Sequence, residues 1–131
     1  MKYCKKWNNS KTKSPKPLIM KRYEVWLADL NPRFGTEAGK TRPVVVVQTD
    51  LLNGKHLSTV VCPITTQVVA GLNRMRVHLT AGEAGLSADS DILVDQIRAI
   101  DNRRFVKKLG QLPAAAQTKL DENMKIILDL P

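Results

Sequence analysis

Cysteine is nearly absent. The chain has two, Cys4 in a basic N-terminal stretch and Cys62 in an apolar run. That pair gives no disulfide framework, and a bridge between them is not expected in a reducing compartment. There is no Cys-x-x-Cys pair, and only two histidines, His56 and His78, so a structural zinc site is not expected. No apolar run approaches the roughly 20 residues of a membrane span. Leu18-Ile19-Met20 is too short for the apolar region of a signal peptide. These absences predict a cytoplasmic protein with no membrane association, no metal and no cofactor. Aromatic residues make up only 5% of the chain. Beyond residue 22 they are Tyr23, Trp26, Phe34 and Phe105.

Acid is missing from the first 22 residues, which hold eight of the 21 lysines and arginines. They supply +8 of the net charge of +9, and residues 23–131 are nearly balanced, with 13 bases and 12 acids. The high overall charge therefore describes the N-terminus rather than the body. Residues 1–20 read as a basic, disordered extension broken by Ser14-Pro15-Lys16-Pro17. The sharper alternative is an arm that steers nucleic acid. Met20 precedes the first strand pattern and reads as a functional start, so residues 21–131 form the expected domain. At 131 residues there is chain for one domain with a modest core.

Tyr23 to Leu30 alternates loosely and ends at Asn31-Pro32, which predicts a strand and a turn. The segment from Pro43 to about Asp50, with its four valines, predicts a second, buried strand. Asn53-Gly54 marks a turn. Ser58–Thr65 is a third strand, in which Pro63 suggests an edge or a bulge. Met75–Leu79 alternates cleanly, with Arg76 and His78 on the polar side. Asp91–Ile100 predicts one further strand, and Val106–Leu112 a short one. From Pro113 to Leu130 the period changes. Ala116, Leu120, Met124 and Ile127 make a helical stripe that packs on the sheet, and Pro113 suits a first turn. No internal repeat occurs. Many short strands and one terminal helix predict a small, strongly curved β barrel.

What the chain does have is one unusual loop. Gly35-Thr36-Glu37-Ala38-Gly39-Lys40-Thr41-Arg42-Pro43 sets a carboxylate and a guanidinium five residues apart between glycines. It runs straight into Val44-Val45-Val46-Val47. Pro43 pushes Arg42 into an extended conformation. A loop anchored on a rigid strand is a common holder of reactive groups. Asp89 and Asp91, beside Ser90, read as turn chemistry rather than a metal site.

Several blocks together resemble the MazF/PemK family of toxin endoribonucleases from bacterial toxin–antitoxin pairs. They are Glu24-Val25-Trp26 before Asp29-Leu30-Asn31-Pro32, then Gly35-Thr36-Glu37, Gly39 and Arg42-Pro43-Val44-Val45-Val46. Pro63-Ile64-Thr65-Thr66-Gln67 and Asp95-Gln96-Ile97-Arg98-Ala99-Ile100-Asp101 follow in family order. The resemblance spans about residues 21–130. It implies an SH3-like barrel of the CcdB/MazF/PemK toxin type, with a C-terminal helix, acting as a homodimer. It also implies metal-independent, sequence-specific cleavage of single-stranded RNA, leaving 2′,3′-cyclic phosphate and 5′-hydroxyl ends and so blocking translation and growth. The implied partners are RNA, an antitoxin with an acidic flexible tail, and operator DNA bound mainly through the antitoxin. The chain departs from the family pattern at Thr36, often serine, and at Ala38, commonly glutamine. One branch uses a histidine at position 36 and an arginine at position 93. Here these are Thr36 and Leu93, which favours a mechanism built on Glu37, Arg42 and Thr65.

In such a reaction the 2′-hydroxyl of RNA attacks the adjacent phosphorus, so the enzyme supplies a base, a cation and oriented donors. Arg42 matches phosphate oxygens and stabilises charge; the alternative is a loop staple to Glu37. Glu37 is the candidate base, or else only orients Arg42. Thr65 offers a hydroxyl to a nonbridging oxygen, or is simply a strand residue. Thr36, Lys40 and Gln67 are candidate RNA contacts. Arg74, Arg76 and His78 are a solvated face or one wall of the RNA groove. Phe34 stacks on a base or anchors the loop, and Asp95 and Gln96 lie near the groove or are a strand-end polar pair. The chain lacks the C-terminal Trp-Gly-Ile of gyrase-poisoning toxins of this fold. That argues against a protein-targeting toxin, which with a non-catalytic toxin is the alternative function.

Overall fold

The structure is a computed structural model that describes residues 19–32 and 34–131. The expected basic extension therefore lies, up to residue 18 and with Cys4, outside the described residues. Among those described, seven strands and one α-helix follow in order. They are β1 (Glu24–Asp29), β2 (Thr41–Val46), β3 (Ser58–Thr65), β4 (Arg76–Leu79), β5 (Ser90–Leu93), β6 (Arg98–Asp101), β7 (Phe105–Gln111) and α1 (Ala114–Ile127). The strands pair antiparallel in the order β4-β5-β3-β2-β1-β7, with β6 also on β3.

The valine run explains the middle of this sheet. Successive side chains in a strand face opposite sides, and here both sides are covered. Val25 and Val45 enter a core with Ile64, Ile92 and the helix residues Ala116 and Leu120. Trp26, Val44 and Val46 enter a second core with Val61, Ile100 and Phe105. Trp26 and Phe105 meet edge to face, with ring centroids 5.9 Å apart. Burying each such side chain contributes about 1.5–3 kcal/mol. Met20 also belongs to the second core and is 1% exposed, so the packed body includes it.

Four readings of the strands change. The expected strand Asp91–Ile100 is broken by a 3-10 turn at Val94–Gln96. The break lets β5 pair Ile64 and Thr65 at one end of β3, while β6 pairs Ser58–Val61 at the other. Pro63 is not on an edge strand: β3 is central. It falls, with Cys62, in the gap between those two partners, where the ladder on that flank is interrupted. Strand β2 begins at Thr41, earlier than expected, because Asp29, Ala28 and Leu27 of β1 pair with Thr41, Arg42 and Pro43. It ends at Val46, because the Gln48 side chain takes over the ladder and its Oε1 accepts from Val60 N at 3.3 Å.

The helix stripe falls as the period predicts, Ala116 and Leu120 buried, Met124 and Ile127 packed against the core. Asn123 is buried beside them, its Nδ2 donating to the carbonyls of Asn73 and Arg76. The two ends of the sheet, β4 and β7, do not pair. The turn Glu83–Gly85 between β4 and β5 instead packs backbone to backbone on Leu109 and Gly110 of β7. Contact rather than a strand ladder brings the barrel round.

Candidate active site

A cleft of about 540 Å³ opens between the loop before β2 and the end of β3. Thr36, Glu37 and Lys40 of the loop and Arg42 of β2 line one side. Thr65 and Gln67, Arg76 of β4 and Gln96 of the 3-10 turn line the rest. Eight of the twelve residues singled out in the sequence thus share one cavity. The other four do not line it. Phe34 is exposed on the loop, Arg74 is exposed in the β3–β4 connection, and Asp95 faces solvent. His78 lines a separate cavity with Lys119 and Glu83.

The loop is held at its base and at its tip. At the base, Leu30 N donates to Lys40 O at 2.9 Å and Lys40 N to Asn31 Oδ1 at 2.8 Å. Arg104 adds bonds from Nη1 to the carbonyls of Asp29 and Asn31. Lys40 itself has φ +66°, a conformation that non-glycine residues rarely adopt and that clusters at functional sites. At the tip, Glu37 N donates to Phe34 O at 3.1 Å, and Glu37 Oε1 accepts from Phe34 N at 3.2 Å. Gln96 clamps the peptides on both sides of Glu37. Its Oε1 accepts from Ala38 N at 2.9 Å and its Nε2 donates to Thr36 O at 3.2 Å.

Arg42 is a strand residue rather than a loop residue. Its pairing with Ala28 and the bond from Nε to Gly39 O at 2.8 Å fix the root of the guanidinium. Thr65 ends β3, half-buried, and its Oγ1 accepts from Gln67 N at 3.1 Å. With the oxygen so engaged, its proton remains available to an acceptor in the cleft. Leu93 also lines the cleft and is buried, so position 93 contributes an apolar wall.

Asp91 does not follow its turn reading. It is 2% exposed, inside β5. Asp89 stands just before β5, its Oδ1 accepting from Ala81 N at 2.8 Å across the β4–β5 connection. The Asp91 carboxylate accepts from Val69 N, Arg76 Nη1 and His78 Nδ1 at 3.0–3.1 Å. Burial by itself would raise its pKa. The bonds from His78, Val69 and Arg76 outweigh that and hold it below the ordinary 3.8. Glu24 behaves likewise. Burial opposes its charge, but Trp26 Nε1, Lys21 N and the Lys108 ammonium hold its pKa below 4.5. At Cys62 burial, then the charge of Asp95, pushes the thiol up to about 12.

The two lowered carboxyls set an acid limit on stability. A carboxyl whose folded pKa lies below its unfolded value stabilises the fold above the unfolded pKa, and loses that as pH falls through the folded one. The melting temperature is expected to hold between pH 7 and 5 and to fall below about pH 4. Glu24→Gln lacks its share at pH 7 and is expected to show a shallower acid limb. An acid limb as steep as the wild type's would refute this assignment.

The family model describing a PemK-like, MazF-like toxin of a type II toxin–antitoxin system matches residues 21–128. The chain belongs to that family. The MazF-like fold is shared as well: a mostly antiparallel sheet with one C-terminal helix. Endoribonuclease EndoA of Bacillus subtilis is 38% identical over 113 residues, 86% of this chain and 97% of that protein. The structure of the Mycobacterium tuberculosis toxin MazF-mt6 superposes with a TM-score of 0.70 at 26% identity, covering 82% of this chain and 98% of that one. A mycobacterial endoribonuclease in complex with its cognate antitoxin superposes at 0.70 with 19% identity, covering 86% and 97%. Among the described residues of this MazF-like chain, no helix is long and apolar enough to cross a membrane.

Sequence reasoning misses two roles. It places Gln96 near the groove but not as the clamp on Glu37's loop. It reads Asp91 as a turn residue. The signal at Asp91 is a carboxylate standing one residue before the apolar Ile92-Leu93-Val94, where a plain sheet would carry another apolar or a solvated side chain.

Proposed function

We propose that this chain is the toxin of a toxin–antitoxin pair and a sequence-specific endoribonuclease acting on single-stranded RNA. The observation that carries the reading is the convergence of Glu37, Arg42 and Thr65 in one cleft. Membership of the family and the endoribonuclease names of its relatives support it. Glu37 takes the proton of the ribose 2′-hydroxyl. The 2′-oxygen bonds to phosphorus as the bond to the 5′-oxygen breaks, and the departing 5′-oxygen takes a proton from water to leave as a hydroxyl. Arg42 and the Thr65 hydroxyl stabilise the charge that builds on the nonbridging oxygens. Arg42 stays protonated throughout, since its pKa exceeds about 12. Lys40 and Arg76 add positive charge along the same walls, which suits a polyanion. Exposed Phe34 offers a stacking surface on the loop that carries Glu37.

The domain of residues 21–131 acts in the cytoplasm as a homodimer. A cognate antitoxin binds the chain, as one binds the mycobacterial endoribonuclease of the same fold, and an acidic segment of it covers the basic cleft. Contact with operator DNA comes mainly through that antitoxin. The test is cleavage of long unstructured RNA in excess EDTA, with the new ends mapped. Cuts at one short sequence leaving 2′,3′-cyclic phosphate and 5′-hydroxyl ends are expected. Folded, antitoxin-free protein that cuts no RNA would overturn the nuclease reading in favour of a protein-targeting toxin.

A further inference from the structure

We infer that Asp91, which does not line the cleft, is the positioning residue that aims Arg76 at RNA and fixes the segment Gln67–Val69, of which Gln67 lines the cleft. The inference rests on the RNA-cleaving reading above. Asp91 is the cross-strand partner of Thr65 on β3 and of His78 on β4, so the three side chains form one row across the sheet. Its Oδ2 accepts from Arg76 Nη1 and from Val69 N, both at 3.1 Å, and its Oδ1 from His78 Nδ1 at 3.0 Å. Arg76 Nη1 also donates to Gln67 O at 2.8 Å. One buried carboxylate thus holds the segment after Thr65 directly at Val69 and, through Arg76, at Gln67.

An ionised carboxylate removed from water is costly unless paired and fully hydrogen-bonded. An apolar residue on the face of β5 that Leu93 shares would avoid that cost. What the carboxylate adds is geometry. Arg76 is a long side chain whose free rotamers would scatter its charge across the cleft, and a fixed partner removes that freedom. The side chain is only one-fifth exposed, so this end of the cleft presents a seated guanidinium rather than a waving one. Its charge is partly offset by Asp91, so its value to RNA lies in placed donors more than in net charge.

The test uses Asp91→Asn, Arg76→Ala and the double variant in the full chain. The probe is a 2′-O-methylated, uncleavable copy of the RNA site mapped in the cleavage assay. Asp91→Asn is expected to weaken binding about 10-fold and to reduce the salt slope of log K by about 0.7, the share of one single-strand phosphate contact. Arg76→Ala is expected to do the same, and the double variant to be no worse than either. A residue that only stabilised the fold would lower the melting temperature and leave the slope of the folded protein unchanged. Should Asp91→Asn fail to fold, Asp91→Glu keeps the charge and moves the carboxylate by one methylene. It is read by the same affinity and slope. A wild-type slope in a folded Asp91 variant, or losses that add in the double variant, overturns the inference. If wild type binds no RNA, the proposed function itself fails, which is a distinguishable result.

Discussion

Arg42→Ala is expected to cut kcat/KM on single-stranded RNA about 10³-fold, the usual cost of removing one group that stabilises transition-state charge. The fold should survive. Arg42 is half-buried and its bond to Gly39 O is one neutral acceptor's worth, about 0.5–1.5 kcal/mol. Its pairing with Ala28 is a main-chain matter that alanine preserves. Loss of activity with a melting temperature lowered by only a few degrees is therefore the expected pair of results. Arg42→Lys should recover little, because an ammonium cannot reproduce the planar fork that spans two phosphate oxygens. The deciding measurement is single-turnover cleavage of the mapped site. A variant that keeps a tenth of wild-type activity would remove Arg42 from the chemistry. It would leave Arg42 as the staple of the loop, through Gly39.

The ease of reading Arg42 and the difficulty of reading Asp91 have one physical origin. Arg42 is fixed by its chain neighbours: Pro43 excludes helix at the preceding residue, and a valine run must be a buried strand. The helix stripe at Ala116 and Leu120 is legible for the same reason, since residues near in sequence set its period; Thr65, by its neighbours a plain strand residue, is singled out only by the family resemblance. The break at Val94–Gln96 is not legible. Nothing in Asp91–Ile100 forbids one continuous strand. What divides it is that β3 accepts two partners end to end, and that the Gln96 amide is drawn to the distant peptides of Thr36 and Ala38. The Asp91 row depends on the same pairing, because only the register of β3, β5 and β4 sets Thr65, Asp91 and His78 side by side. His78 is legible as polar and outward-facing, but its cavity is set by the approach of α1 and the Glu83 turn. Local periodicity says which way a side chain points; tertiary register says what it meets.

Gly85→Ala is expected to be strongly destabilising, although Gly85 is exposed by area. Its φ is +77°, where an alanine costs about 1–2 kcal/mol. The steric cost is greater still. A Cβ built there lies 2.0 Å from Leu109 O and 2.6 Å from Leu109 C, both main-chain atoms of β7. Side chains rotate away from such contacts, but Leu109 is main chain held between Gly110 and Lys108, which pair with Val25 and Trp26 of β1, so it cannot move far without disturbing that ladder. Overpacking of this kind adds about 1–3 kcal/mol or more, against a total stability of about 5–15 kcal/mol. Gly82 is the internal control. Its φ is +96°, yet nothing lies within 4 Å of its Cβ position, so Gly82→Ala bears the backbone cost alone. At roughly 4 °C per kcal/mol for a domain of this size, Gly82→Ala should melt a few degrees low and Gly85→Ala about 12 °C low or worse. Equal melting temperatures would show that the Glu83 turn does not bear on β7. The consequence reaches the cleft, because that turn joins β4, which carries Arg76, to β5, which carries Asp91. A seam forced open at Leu109 and Gly110 therefore loosens the wall opposite Glu37, and RNA binding should weaken in any Gly85→Ala protein that still folds.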